Sequence, residues 1–358
     1  MMEVRVAKRI APRLDSAGFS LEVEFQACPG IMALFGPTTA GKTLILDVIA
    51  GFRRPDEGRI LLDDRLLFDA AARVNLPARL RHCGYVLRND ALFPHMTVRQ
   101  NLIFAAQQQP RLERHRSVNE TIERFHLTDV AARRPQEMSR GQKQCCAIAR
   151  AFSSSPRVLL LDEPARGLDA TWRGEVYRLL REIRADLQIP ILLATQDLEE
   201  CCQLGDEMLV LQDGRIAQRG RPRQIVEQPA SVEVARLLGI SNLFQAEITA
   251  LDPGRNTSRV RFGDQELTGP YFPGHLRGDR VWLCVRAEDL RVKQHNGARP
   301  ETNQLSANLL RVSEKSRAVR LEFSGDISVE VPHQEFERLK DNKDWLVEFP
   351  PAALRVLS

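Results

Sequence analysis

The sequence predicts a parallel α/β fold over residues 1–235, followed by a smaller all-β region. Three observations predict it. The apolar run IMALF, residues 31–35, leads through a glycine-bounded stretch into residues 43–50, which read as a helix ending at Gly51. Two more continuous apolar runs, at 158–161 and 190–194, have the character of strands buried on both faces, with helix-like residues 171–186 between them. After about residue 240, alternation such as Arg259-Val260-Arg261-Phe262 between Gly and Pro turns replaces the helical pattern.

The bulk properties bound the function. A chain of 358 residues, 43% hydrophobic and 27% charged, is ordinary globular material with room for two domains. A formal charge of +4 suits mild attraction to anionic ligands or a cytoplasmic membrane face, and no dedicated nucleic-acid binder is expected. The seven cysteines, at 28, 83, 145, 146, 201, 202 and 284, fit no disulfide or zinc-finger spacing, so a reducing cytosol is expected. The start MMEVRVAKRI lacks a signal-peptide core, and no stretch approaches the roughly 18 to 20 apolar residues of a membrane span. The chain is expected not to enter the bilayer by itself.

Along the chain, short strands are predicted at 3–6, 19–25 and 31–35, and a polar, helix-friendly stretch covers 98–134. The C-terminal part repeats itself. NLFQAEI at Asn242 resembles NQLSANL at Asn303, 61 positions on, and VWLCVRAEDLRV closes the first unit as DWLVEFPPAALRV closes the second. Two related β modules, about 242–301 and 302–358, are expected.

The chemistry begins at GPTTAGKT, residues 36–43, which fits G-x-x-x-x-G-K-[ST] between a predicted strand and a predicted helix. Such a loop aims backbone N–H groups at phosphate oxygens over a helix N-terminus. Gly36, Pro37, Thr38, Thr39, Ala40, Gly41, Lys42, Thr43 and Leu44 would therefore hold the phosphates of a nucleotide, which the resemblance given below makes ATP. Lys42 would reach the β- and γ-phosphates, and the Thr43 hydroxyl would ligate Mg²⁺. A second acidic site ends the buried run LLLDE: Asp162 can join the Mg²⁺ shell, and Glu163 can act as base for the attacking water. Both acids fall at the C-terminal edge of the predicted sheet, where nucleotide loops gather.

Between these sites lies EMSRGQKQ, residues 137–144, and here the chain resembles the ATP-binding-cassette ATPases. MSRGQ matches their LSGGQ signature, and DEPARGLD matches their Walker B and D-loop segment. GIMALFGPTTAGKT, NLPARLRHCGYV, ALFPHMTVRQNL and VLQDGRIAQRGRPRQIVEQP are similar to the nucleotide-binding subunits of molybdate importers. The resemblance covers nearly the whole chain. It implies a P-loop NTPase cassette over 1–238, with a helical subdomain at about 88–150, and an oligomer-binding-like C-terminal domain of the TOBE/MOP type over 239–358. It implies a head-to-tail homodimer with ATP sandwiched between one subunit's phosphate loop and the other's signature, Ser139, Arg140, Gly141 and Gln142. Ser139 and Gly141 would contact the γ-phosphate across the dimer, and Asp169 would sit at the seam. It further implies two integral-membrane permease subunits touched by residues 88–96, a periplasmic or lipid-anchored solute-binding protein, and a peripheral place on the cytoplasmic face of the inner membrane.

Several positions depart from that pattern. The family has Gln at the place of Arg88, touching Mg²⁺ and the attacking water; a guanidinium would repel the metal but could swing onto phosphate oxygens. It has His at the place of Gln196, and an amide can donate one hydrogen bond there but carry no proton. Loss of such a positioned group typically costs on the order of 10²- to 10³-fold in rate. Arg140 replaces a glycine where backbone must approach phosphate, and Thr39 replaces another, strained if φ is positive there. The segment before Phe19 has no Tyr or Trp to stack adenine. The retained Gly36, Gly41, Lys42, Thr43, Asp162, Glu163 and Asp169 favour a slow but real ATPase, with Glu163, Gln196 and Arg88 as catalytic residues.

The leading expectation is thus the ATP-binding subunit of a bacterial importer for an oxyanion, molybdate first, with an oxyanion also bound in the C-terminal domain. Importers of sulfate, sugars or polyamines share the architecture. A rival from another class is a poorly hydrolysing regulatory ATP-binding protein. A third, a cassette ATPase acting on nucleic acid or ribosomes, would normally carry two cassettes, and one is visible. The histidines, including His95, show no ligand spacing. The Cys145-Cys146 and Cys201-Cys202 pairs are expected to turn one member each toward the core, and the Arg-rich tract 215–223 to be a solvated edge.

Overall fold

The computed structural model describes residues 1–12, 18–89, 91–263, 265–294, 301–315, 318–340 and 344–357. The chain divides into two compact units, Met1–Glu227 and Gln228–Ser358. The division falls earlier than the expected 238, because the short helix after Ser231 packs under Cys284 and Leu357 of the β-rich unit.

The first unit opens with Met2–Ile10 (β1), Phe19–Ala27 (β2), Gly30–Phe35 (β3), Lys42–Ala50 (α1), Glu57–Leu62 (β4), Arg65–Asp69 (β5), Val74–Asn75 (β6) and Cys83–Val86 (β7). Helices Val98–Ala105 (α2), Arg111–Arg124 (α3) and Arg140–Ser153 (α4) follow. It closes with Val158–Asp162 (β8), Ala170–Leu187 (α5), Pro190–Thr195 (β9), Leu198–Leu204 (α6), Glu207–Gln212 (β10), Arg215–Gly220 (β11) and Pro222–Glu227 (α7).

Two sheets share these strands. The central one has the order β11-β10-β3-β9-β8-β7, parallel throughout except at β11. Every residue of β8 and β9 is buried, which is why both read as unbroken apolar runs. The expectation of a parallel sheet over all of residues 1–235 needs correction. β1, β2, β4, β5 and β6 form a separate antiparallel sheet: β1–β2, β4–β5 and β5–β6 are hairpin neighbours, β4 joins β1 after β3 and α1, and one alternating face of β2 is buried. β11 carries the Arg-rich tract along the other sheet's edge, where Arg219 pairs with Glu207 at 2.7 Å and Arg215 with Glu22 at 3.4 Å. α4 buries both Cys145 and Cys146, against the expectation of one, because its middle, residues 144–149, is buried all round; of the later pair only Cys201 is buried.

Helix α1 is held at both ends by cations on carbonyls. At its end Gly51 adopts φ +86, and Arg81, 1% exposed, donates through Nη1 to the Val48 and Ile49 carbonyls at 2.8 and 2.9 Å. Its Nε and Nη2 reach the Leu76 carbonyl and Asn75 Oδ1. A side chain at Gly51 would strike Arg81 Nε at 2.7 Å. The guanidinium fork therefore satisfies the Ile49 carbonyl and adds a donor to the Val48 carbonyl, which the Gly51 N–H reaches at 3.3 Å.

The second unit holds Val232–Leu237 (α8), Asn242–Asp252 (β12), Thr257–Phe262 (β13), Gln265–Pro270 (β14), Arg280–Val285 (β15) and Arg291–Gln294 (β16). Then come Gln304–Ala307 (β17), Leu309–Glu314 (β18), Val319–Phe323 (β19), Ile327–Val331 (β20), His333–Leu339 (α9), Trp345–Glu348 (β21) and Arg355–Leu357 (β22). The strand order of the first half recurs in the second, but the halves are interlocked. β22 pairs with β15 of the first half, and β21 lies between β16 and β17. The two asparagines aligned by the 61-residue spacing make reciprocal contacts. Asn242 donates to the Ser328 carbonyl and accepts from its N–H, both at 2.7 Å; Asn303 does the same with Thr268 at 2.7 and 2.6 Å. Both side chains are buried, so each clamp crosses from one repeat to the other in a dry setting. Among the described residues no helix is long and apolar enough to cross a membrane.

Two stability outcomes follow from these contacts. Arg81→Ala empties buried volume and takes the guanidinium from the Ile49 and Leu76 carbonyls, leaving Val48 only its bond from the Gly51 N–H, and should cost about 3 kcal/mol or more of unfolding free energy in urea titrations. Arg81→Lys should recover only part, because an ammonium cannot fork. Asn242→Ala and Asn303→Ala should each destabilise by roughly 2 kcal/mol in thermal melts; unchanged melting would show the clamps to be incidental.

Candidate functional site

The central sheet gathers the site by register. Phe35 lies opposite Thr195, Asp162 opposite Ala194, and Val86 opposite Leu161. The phosphate loop after β3, the acids ending β8, Gln196 after β9 and Arg88 after β7 therefore leave one edge together.

In the loop, the left-handed positions are Gly36 at φ +155 and Gly41 at φ +95. A Cβ on Gly36 would stand 2.4 Å from the Leu211 carbonyl, and one on Gly41 2.9 Å from Phe19 Cζ, so both glycines are required by space as well as by φ. Thr39 sits in a single 3₁₀ turn, Thr38–Ala40, at negative φ, so the condition for strain there is not met. The Lys42 ammonium is 3% exposed and donates to the Gly36 and Pro37 carbonyls at 2.7 and 2.8 Å. Burial pulls its pKa below the usual lysine value, opposed by Glu163 and Asp162 nearby.

The Thr43 hydroxyl donates to Asp162 Oδ2 at 2.9 Å, which joins the two nucleotide motifs across 119 positions of sequence. Burial raises the Asp162 pKa, and the Thr43 bond, Arg88 and Lys42 oppose that rise. Among the described residues no cluster of three or more His, Cys, Asp or Glu could hold a metal alone. One hydroxyl and one carboxylate fit a Mg²⁺ that takes its remaining ligands from water and phosphate.

Glu163 is the most constrained acid. Its backbone is left-handed at φ +50, its N–H donates to the Ala194 carbonyl at 2.8 Å, and it is 8% exposed. Two guanidinium groups meet its Oε2: Arg88 Nη2 at 3.2 Å and Arg166 Nη1 at 2.6 Å. Arg88 is thus placed on the acid, which the sequence reading of a swing onto phosphate did not anticipate. The Thr38 hydroxyl donates to Gln196 Oε1 at 3.4 Å, tying the phosphate loop to the position where the family has His. A cavity of about 180 Å³ lies between Glu163, Arg166, Gln196 and Glu200. Glu200 is 2% exposed, its Oε1 has no hydrogen-bond partner, and burial pushes its pKa up to about 7.

The signature residues begin α4. Ser139 caps it, accepting from the Gln142 N–H at 3.2 Å while Gln142 Oε1 accepts from the Ser139 N–H at 3.0 Å. Gly141 is buried under Trp172, where a Cβ would lie 2.0 Å from the indole. Asp169 caps α5 through the Trp172 N–H at 2.9 Å. Arg140 does not project away from its own chain: its Nη2 donates to the Arg166 carbonyl at 2.9 Å, over Gly167. The segment at 91–96 is braced by Arg150, which donates to the Ala91 carbonyl at 2.7 Å, and by fully buried Asn101, which accepts from the Phe93 N–H at 2.9 Å. His95 is exposed beside Phe93. Residues 13–17, part of the segment expected to lack an adenine-stacking ring, lie outside the described residues.

Sequence reasoning missed Arg166, Glu200 and Trp172. Arg166 stood inside the quoted DEPARGLD, and a third arginine in a catalytic segment, beside Arg88 and Arg140, was the available signal. Nothing local marked Glu200 as buried.

Comparison with known proteins places this geometry. Residues 22–166 match the family described as ABC transporter. The chain is 34% identical over 277 residues to the molybdenum import ATP-binding protein ModC of Paramagnetospirillum magneticum, covering 76% of this chain and 75% of the relative. It is 37% identical over 267 residues to the spermidine/putrescine import ATP-binding protein PotA of Vibrio cholerae, covering 74% and 68%. The fold is similar to that of the dimeric ATP-binding cassette MJ0796 bound to ADP and Pi, with TM-score 0.54 and 22% identity, over 62% of this chain and 99% of the other. With the phosphate loop, the Thr43–Asp162 contact and the capped signature helix in place, the chain belongs to the ABC transporter family of ATP-binding proteins and is one of its ATPases.

Proposed function

We propose that this chain powers uptake of an oxyanion, molybdate first, as the ATP-hydrolysing subunit of an importer. The observation that carries the hydrolytic part is the Thr43–Asp162 contact beside the buried Lys42 ammonium. Loop N–H groups and Lys42 hold the phosphates, the ammonium exchanging its two loop carbonyls for phosphate oxygens. Thr43 and Asp162 hold Mg²⁺, which neutralises phosphate charge when bound. A water attacks the γ-phosphorus as the bond to the β–γ bridging oxygen breaks, and its proton passes to Glu163. Gln196 can donate one amide N–H to the phosphate.

The rest of the assembly follows the family's logic. Two chains pair head to tail, so that Ser139, Gly141 and the α4 N-terminus meet the partner's nucleotide, with Asp169 at the seam. The dimer works on two permease subunits and a solute-binding protein at the cytoplasmic membrane face, with residues 88–96 against the permease. ModC-like relatives support molybdate, and PotA-like relatives keep polyamine as the competing solute. The two guanidinium groups on Glu163 favour a second reading, a regulatory ATP-binding protein with little turnover.

Three measurements separate these readings. Glu163→Gln should lower phosphate release with Mg-ATP by about 10²-fold or more while nucleotide binding persists; a rate equal to wild type would sink hydrolysis through this base. A strain lacking the gene should hold less molybdenum and recover with the wild-type chain but not with Glu163→Gln. Normal molybdenum with impaired spermidine uptake would transfer the solute to the polyamines. Calorimetry of the full chain with molybdate, tungstate and sulfate should give heat with at least one, and silence with all three would remove the oxyanion from the C-terminal unit.

A further inference from the structure

The side chains around Glu163 form a chain of contacts that the reaction as described does not use. The turn 163–166 closes on itself, the Arg166 N–H donating to the Glu163 carbonyl at 3.2 Å, with Pro164 fixing φ at its second position. That turn returns the Arg166 guanidinium to its own neighbour's carboxylate, 2.6 Å from Oε2, where Arg88 also lies at 3.2 Å. One residue on, Gly167 at φ +68 leaves room for the Arg140 guanidinium; a Cβ there would stand 2.7 Å from both of its terminal nitrogens. Arg140 Nη2 donates to the Arg166 carbonyl at 2.9 Å. The first residue of α4 is thereby linked, through one backbone carbonyl and one guanidinium, to the acid at the end of β8.

The backbone of Glu163 has little freedom to respond. Its left-handed φ and its bond to the Ala194 carbonyl belong to the sheet register, so only the side-chain torsions can redirect the carboxylate. Those torsions are set by what the carboxylate touches. Oε2 has both guanidinium contacts, and charge-assisted bonds of this kind are the strong ones. Arg166 is half-exposed while the Glu163 side chain is 6% exposed, so the arginine can leave for water at modest loss whereas the carboxylate cannot.

We propose that Arg166 is a positioning residue that latches Glu163, and that Arg140 acts through Arg166 by holding the turn in place. This rests on Glu163 being the base in the reading above. With the latch closed, Oε2 serves guanidinium donors; hydrolysis needs that oxygen released to orient the carboxylate toward water. Arg140 belongs to the signature segment, so engagement of α4's N-terminus by a phosphate would draw its guanidinium from the Arg166 carbonyl and loosen the latch. Nucleotide engagement at α4 and freedom of the base are then one event.

The test uses the full-length chain and steady-state phosphate release with Mg-ATP. A charge-assisted bond to a half-exposed arginine predicts that Arg166→Ala raises kcat by about three- to tenfold with KM unchanged. Arg166→Lys, which keeps charge but loses the fork, should fall between the two. Arg140→Ala should raise kcat less, and the double variant no more than Arg166→Ala alone, since both act on one contact. A kcat for Arg166→Ala equal to or below wild type would overturn the latch, as would additive effects of the two variants. Glu163→Gln keeps the outcomes apart. If it abolishes turnover while Arg166→Ala changes nothing, the latch fails and the base stands; if it turns over normally, the base itself fails.

Discussion

Everything at the nucleotide edge depends on the register of the buried parallel strands β3, β9, β8 and β7. Backbone hydrogen bonds fix that register, and full burial of β8 and β9 on both faces prevents a slip, because a one-residue shift would exchange every side chain between two filled layers. Four loops from distant parts of the sequence leave the sheet at one level as a result. The Thr43 hydroxyl then needs no special device to find Asp162. It finds it because the loop 36–41 starts helix α1 at the sheet edge where β8 ends.

Helix α1 also shows how the first unit handles buried positive charge. Lys42 and Arg81 are almost without solvent contact, and both are satisfied chiefly by backbone carbonyls rather than by carboxylates. An ammonium bonded only to carbonyls remains available to a stronger acceptor, which suits a group that must take up phosphate. Arg81 has no such exchange open to it, since its fork is divided among four acceptors around the helix end. Similar chemistry thus serves recognition at one end of the helix and permanence at the other.

The motifs that were legible in the sequence are those whose residues are neighbours along the chain. GPTTAGKT, LLLDE and MSRGQ each carry their geometry in their spacing, and the β-rich character of the second unit was visible in its alternation, although the expected all-β region also holds the helix α9. What stayed hidden depends on partners far apart in sequence. Arg88 and Arg140 were noticed as odd residues, but their targets, Glu163 and the Arg166 carbonyl, are set by strand register and by a turn that spacing does not encode. The antiparallel sheet was missed because its strands are amphipathic and short-looped, a pattern that names a strand without naming its neighbour. The strain feared at Thr39 rested on a positive φ, and the left-handed turns fall to the flanking glycines instead.

The reciprocal clamps of Asn242 and Asn303 bear on how the second unit comes apart. Each repeat offers an amide that binds backbone of the other repeat, with Asn303 also donating to the Phe349 carbonyl of its own, and the strands β21 and β22 are likewise lent across. A single repeat would keep its own ladder but lose the cross-repeat pairing of β15 with β22 and of β16 with β21, and the backbone partner of its clamp. Loss of either half leaves the other without its complement, so the unit opens as one cooperative body.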